Sequence, residues 1–464
     1  MKDSFHNPDN DNSKPGRKIG ILIMLVAMFT GIFSVCAFNR DVVLVDASEY
    51  HTLAINLLEG NGYSLDSQAP YEPTFYREPG YVASLLVPLG AYSVFNDLEY
   101  IEQSPDIHQR SVVVESVEWV KYFQVLVFAL ICLLQYATLR YVLNPKTAAI
   151  IALATSLFLP LAIYTTYMMR ELVLTLFMMA MNFFIVRYYF EHKIINLVLA
   201  GVFGGLAALS LQVMVFSVVF VLAFIVYANP RKLKAILLGW IVFLASVLLT
   251  LTPWVLRTYS YYPDIRVAHN IGTNLTYDKM KYINSLRALR RHGIITQSEL
   301  TAIEYQTYDN GLKGFEDTFS GKYDAMADSN YTLIASRGLK KGSVFTRLKQ
   351  YGKKYGRHVF TSGYLLSFVR RPMVAKSLKI ILYILSFIMG FAYLAGIISH
   401  TKKLLPVLTV YLFMFASIVT LSGRRLLPIY PYFVTFTVLG AMWIREKMIS
   451  WLSLWRLRRA ARYN

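Results

Sequence analysis

The chain has 464 residues, of which 55% are apolar and only 16% charged, with 47 Lys and Arg against 28 Asp and Glu for a formal net charge of +19. Soluble globular domains carry about 45–50% apolar residues, counted with Gly, and about 25% charged ones, so the composition excludes an ordinary soluble globule and equally excludes a disordered chain. The basic surplus is of the kind that sits in the cytoplasmic loops of membrane proteins and faces anionic lipid; nucleic acid explains it less well. Cys36 and Cys132 are the only cysteines and both lie in apolar runs, which leaves no disulfide framework and no Cys-based zinc site.

Residues 1–18 read as a cytoplasmic N-terminus, because Lys14, Arg17 and Lys18 precede the uncharged run from Ile19 to Phe38. That run is longer than the ~7–15 apolar residues of a cleaved signal peptide and predicts a first span leading outward. An outer loop, 39–121, follows. Within it Glu49 to Leu58 has helical periodicity, and Gly80 to Phe95, short and interrupted by Pro88, reads as a helix along the interface.

Further spans are expected at Tyr122 to Leu139, Thr147 to Met169, Leu172 to about Phe190, Ala235 to Leu256, Ile380 to Thr401, Leu404 to Gly423 and Leu426 to Ile444. The uncharged stretch from Ile194 to Pro230 would be about 55 Å as one helix, too long for one crossing, and so divides near Ser210-Leu211-Gln212. These runs predict an all-α polytopic membrane protein of about ten transmembrane helices, with interfacial helices in two long outer loops. The basic connections at Arg140/Lys146, Lys193, Arg231-Lys232/Lys234, Lys402-Lys403 and Arg445/Lys447 then all fall inside. An N-terminal membrane module, 19–256, carries the first outer loop. A second outer loop, 257–379, includes helix-like stretches at Ser285 to His292 and Phe345 to Tyr355; C-terminal helices, 380–444, and a basic amphipathic tail, 445–464, complete the chain.

Charged residues avoid the middle of the expected spans and collect at their outer ends, the reverse of a transporter with relay carboxylates at mid-membrane. Arg77, Arg170, Arg257 and the pair Arg424-Arg425 break the charge bias at that face. Any one of them alone could be snorkelling; several together suit bidentate capture of an anionic lipid headgroup. Asp46, Glu49, Glu78 and Glu171 are acidic neighbours on the same face. Asp46 reads either as the N-cap of the short helix beginning there or as a general base facing a headgroup.

The stretch Asp46-Ala47-Ser48-Glu49-Tyr50 through Gly60-Asn61-Gly62-Tyr63-Ser64, followed by Tyr76-Arg77-Glu78-Pro79-Gly80-Tyr81, resembles the first outer loop of GT-C glycosyltransferases that use polyprenyl-phosphate sugars. Those enzymes are relatives of the protein O-mannosyltransferases and of the aminoarabinose transferase of lipid A. Pro253-Trp254-Val255-Leu256-Arg257 and Arg424-Arg425-Leu426-Leu427-Pro428-Ile429-Tyr430-Pro431 agree with the resemblance in order and sidedness. The chain departs from it in two places. Ala47 follows Asp46 where protein mannosyltransferases have an adjacent Asp-Glu pair, which does not favour a protein acceptor. Leu209-Ser210-Leu211-Gln212 stands where relatives often carry an Arg.

The resemblance implies an inverting transfer from a polyprenyl-phosphate sugar to a hydroxyl of a glycan or lipid acceptor, at the extracytoplasmic face of a bacterial inner membrane. It implies Asp46 as base, Arg77 and Glu78 against the donor headgroup, and Arg257, Arg424 and Arg425 as further phosphate contacts. Glu49, Tyr50, Arg170 and Glu171 are secondary candidates, Glu171 equally an ion-pair residue of the interface. Partners besides donor and acceptor are membrane lipids, with no nucleic acid. A lipid phosphate is already a good leaving group, so Arg can serve in place of acid and metal. The eight His residues have no ligand spacing, and no obligatory metal or other cofactor is expected. A lipid-linked glycan flippase or an O-antigen ligase or polymerase would share many of these features. Against the first stands the lack of repeat symmetry, and against the second the acidic and basic first outer loop.

Overall fold

The computed structural model describes residues 14–38, 45–75, 77–101, 114–229, 232–261, 376–400 and 427–460. Over these residues the protein is almost wholly helical, the sole extended pairing being a bridge between Ser64 and Pro73. The helices are α1 (Lys14–Phe38), α2 (Val45–Leu58), α3 (Pro79–Ser93), α4 (Ser116–Leu139), α5 (Pro145–Ser156), α6 (Leu159–Ala162), α7 (Glu171–Glu191), α8 (Ile194–Ser210), α9 (Ser217–Ala228), α10 (Leu233–Tyr261), α11 (Lys376–His400) and α12 (Tyr430–Ala460). Among the described residues five helices are long and apolar enough to cross a membrane, and a bent pair makes up to six; Ile194–Ser210 and Ser217–Ala228 are shorter apolar helices. The expected span Leu404 to Gly423 and most of the second outer loop lie outside the described residues.

Where α8 ends the chain turns extended, with Leu211 at φ −153°, and resumes as a 3-10 turn over Gln212–Phe216 before α9. This is the division that the length of the apolar run demanded. The third expected span is not one helix. It bends by 53° between α5 and the segment Leu159–Thr166, at a break where Phe158 leaves helical geometry and Pro160 begins the next turn. At the other end of the chain, α12 continues without interruption from the last span into the basic tail. At 1.5 Å per residue its 31 residues measure about 46 Å, more than the ~30 Å of hydrocarbon, so its end projects past the apolar layer.

Side-chain amides fasten α12 to the N-terminal helices. Gln135 donates to the carbonyl of Pro431 (2.7 Å) and to Thr435 Oγ1 (3.0 Å), and Asn182 donates to the Tyr432 hydroxyl (2.8 Å). All these groups are buried, where a polar pair holds helices that gain no hydrophobic advantage from leaving lipid. Helix α3, expected along the interface, is not a surface strap: Gly80, Tyr81, Val82, Leu85, Pro88 and Leu89 are buried. A Cβ at Gly80 would fall 2.5 Å from Ser210 Oγ, so a residue without one lets α3 close onto the end of α8.

Candidate functional site

Helix α2 begins just after the first span and presents Asp46, Glu49 and Tyr50 at i, i+3 and i+4, a spacing that sets three side chains on one face. Arg77, in the segment leading into α3, reaches that face. Its Nη2 donates to Asp46 Oδ1 at 2.6 Å, its Nε donates to Glu49 Oε2, and its guanidinium carbon lies 5.3 Å above the Tyr50 ring. Asp46 stands inside the first turn of α2, bound to a residue 31 positions away. Tyr50 in turn meets Tyr81 edge to face at 4.9 Å, and both rings are buried. Burial pushes the Glu49 carboxyl above its usual range, Arg77 pulling against it and the Asp46 charge adding to it.

Glu78, the residue preceding α3, carries the second ion pair. It accepts from Arg170 Nη1, at the start of α7, and its Oε1 receives the backbone N–H of Gln212 at 3.5 Å. One buried carboxylate thus ties the segment entering α3 to the start of α7 and the end of α8. Gln212, at the end of the Leu209-Ser210-Leu211-Gln212 stretch, contributes its backbone N–H to Glu78. Glu171, next to Arg170, is buried in the first turn of α7. Behind α2, His51 Nε2 shares a 2.9 Å hydrogen bond with Ser116 Oγ, and burial holds its pKa down at about 4.

Arg257 lies beyond this cluster, near the end of α10. Its guanidinium is ringed by Tyr63, Phe75, Trp254 and Tyr261 at 4.7–5.5 Å, and it donates long hydrogen bonds to the carbonyls of Thr74 (3.4 Å) and Tyr63 (3.5 Å). Tyr63 joins the two arginines: its ring faces Arg257 while its hydroxyl donates to the Arg77 carbonyl at 3.1 Å. From Arg257 an apolar cleft of about 450 Å³ runs between α3, α7, α8 and α10, past Gly80, Ala83, Phe177, Leu206 and Pro253. Among the described residues its lining is mainly apolar, with Arg257 as its one charged side chain.

Seven of the sequence-selected residues thus form one continuous assembly: Asp46, Glu49, Tyr50, Arg77, Glu78, Arg170 and Glu171. Arg257 adjoins it through Tyr63, while Arg424 and Arg425 lie outside the described residues. The aromatic ring around Arg257 was missed by the sequence reading, although Trp254 and Tyr261 stand at i−3 and i+4 from it on one helix and so had to share its face. Among the described residues no three His, Cys, Asp or Glu side chains converge as metal ligands; Asp46 and Glu49 instead share a guanidinium.

A family model described as dolichyl-phosphate-mannose-protein mannosyltransferase matches residues 24–269. No curated protein sequence matches the chain. Among solved structures, the oligosaccharyltransferase AglB of Archaeoglobus fulgidus, in complex with an inhibitory peptide and a dolichol-phosphate, is similar at 15% identity and a TM-score of 0.51, over 95% of this chain and 52% of that one. The apo form of the Archaeoglobus fulgidus oligosaccharyltransferase is similar at 15% identity and a TM-score of 0.52, over 95% and 51% of the two chains. ArnT from Cupriavidus metallidurans bound to undecaprenyl phosphate is similar at 13% identity and a TM-score of 0.38, over 91% and 77%. The chain spans about half the length of the oligosaccharyltransferases, and the likeness to them is one of fold.

Proposed function

The chain belongs to the dolichyl-phosphate-mannose-protein mannosyltransferase family of membrane glycosyltransferases, and on that premise we propose that it transfers a sugar from a polyprenyl-phosphate carrier to a hydroxyl of a glycan or lipid acceptor. The observation that carries this reading is the assembly of Asp46, Glu49 and Arg77 beside the Glu78–Arg170 pair, joined through Tyr63 to Arg257, which lines an apolar cleft. The cleft suits the first isoprene units of the carrier, and Arg257, Arg77 and the Arg424-Arg425 pair suit its phosphate. Ten crossings, with this end of the bundle facing the extracytoplasmic side, satisfy the distribution of basic loops.

In the reaction the acceptor oxygen bonds to the anomeric carbon on the face opposite the phosphate, and configuration inverts. The anomeric C–O bond breaks with its electron pair going to the phosphate oxygen, and the hydroxyl proton passes to an Asp46 carboxylate oxygen. Charge on the departing phosphate grows from one to two, which is where arginines held in a partly apolar site stabilise the transition state most. The step needs no obligatory divalent metal, because the guanidinium groups supply that stabilisation. Ala47 beside Asp46 favours a glycan or lipid acceptor over a protein. The test is to incubate the purified protein with a panel of polyprenyl-phosphate sugars and follow release of the polyprenyl phosphate by mass spectrometry. Release with one member of the panel supports the reading, and no release with any acceptor extract overturns it.

A further inference from the structure

Arg77 serves two carboxylates at once, and it meets them differently. Its Nε and Nη2 both approach Glu49 Oε2, whereas Asp46 Oδ1 is met by Nη2. Two carboxylate oxygens lying within hydrogen-bond reach of one nitrogen are within about 5 Å of each other, a distance at which like charges repel appreciably in a partly buried site. Glu49 is the more buried of the two acids, with its side chain 16% exposed against 24% for Asp46. We infer that Glu49 is a positioning residue, which occupies the Nε edge of Arg77 and so keeps Asp46 from being neutralised by the arginine and basic enough to accept a proton.

The inference rests on the reading of Asp46 as general base, and deepens it. An Asp bound by the whole of a guanidinium would be a weak base, since an opposite charge at hydrogen-bond distance favours the carboxylate form. An Asp sharing that guanidinium with a second carboxylate feels less of the positive charge and some of its neighbour's negative charge. Both effects raise its affinity for a proton. The charged groups acting on Glu49 are Asp46 on its own helix and Arg77 from the segment entering α3, while Tyr50, one residue further along α2, lies in the field of Arg170, Arg77, Glu78 and Asp46. Burial of Glu49 works in the opposite direction, since it favours the neutral acid, and the ion pair with Arg77 opposes it and holds the charge that Asp46 feels.

Glu49→Gln tests this. Loss of the Glu49 charge lets Arg77 engage Asp46 more fully, so the acid limb of the kcat profile should move to lower pH by about one unit, while the plateau falls about threefold as the base weakens. Glu49→Asp, which keeps the charge on a shorter arm, should lie between the two. A merely structural role for Glu49 would lower Tm and leave the limb where it is. An unmoved acid limb, or one that moves to higher pH, overturns the inference. The underlying reading fails by a separate result: if Asp46→Asn transfers sugar as fast as the parent, there is no base for Glu49 to tune.

Discussion

Glu78 and Arg170, 92 residues apart in the chain, form an ion pair in which Glu78 is 2% exposed. Breaking such a pair by removing one partner leaves an uncompensated buried charge and costs about 3–5 kcal/mol. Glu78→Gln should therefore lower Tm in detergent by several degrees and release the segment entering α3 from α7. The double variant Glu78→Gln with Arg170→Gln should recover part of that loss, since neither charge is then stranded. Equal stability of the single variant and the parent would show that water already reaches the pair.

At Arg257 the expectation concerns chemistry more than stability. Lysine can keep a cation among the Tyr63, Phe75, Trp254 and Tyr261 rings but has no planar fork for phosphate oxygens. Arg257→Lys should raise the donor KM or lower kcat roughly tenfold, about 1.4 kcal/mol of transition-state stabilisation, with Tm little changed. Parent-like kinetics would make Arg257 a clamp between α10 and the loop at Thr74, with no part in holding phosphate.

His51 gives the fold an acid sensitivity. Its folded pKa of about 4 lies below the ordinary 6.5, so the unfolded chain binds a proton that the folded one refuses as pH falls between those values. Stability contributed by the neutral imidazole is full above pH 6.5 and declines toward pH 4, by roughly 3 kcal/mol at about 1.4 kcal/mol per pH unit. The Tm of the parent should drop more between pH 7 and pH 5 than that of His51→Gln. Parallel declines would mean that other groups set the acid limit.

Sidedness is open to a direct check. In a background lacking Cys36 and Cys132, a cysteine at the exposed Ser67 should react with an impermeant thiol reagent added to intact cells, and one at Lys193 should not. Labelling at Lys193 with protection at Ser67 would turn the molecule over. The proposed transfer without an obligatory metal predicts, in the same spirit, that activity persists in EDTA; loss that divalent ions restore would contradict it.

The helices were legible because an uncharged run of twenty residues and an amphipathic repeat are local properties of sequence. The division at Leu211 was legible for the same reason, from length alone. What stayed hidden was set by distant contacts. Nothing near Glu78 announces Arg170 or the Gln212 amide, and no local period reveals that Tyr63 lies between two arginines 180 residues apart. The bend at Phe158 and the unbroken run of α12 into its tail were also missed: the apolar run there concealed a proline break, and the basic residues of the tail did not end a helix.

Asp46 is where the account is most exposed. In single-turnover transfer from a polyprenyl-phosphate sugar, with donor binding measured in parallel on the same preparation, Asp46→Asn should lower the rate by about 10²–10⁴ and leave donor affinity within a few fold. Asp46→Asn also removes one half of the ion pair with Arg77, so Tm is followed alongside the rate: a structural role would lower Tm and donor affinity together with the rate, whereas loss of the base lowers the rate alone. A parent-like rate in Asp46→Asn would contradict the assignment of the base, and with it the mechanism built around Arg77.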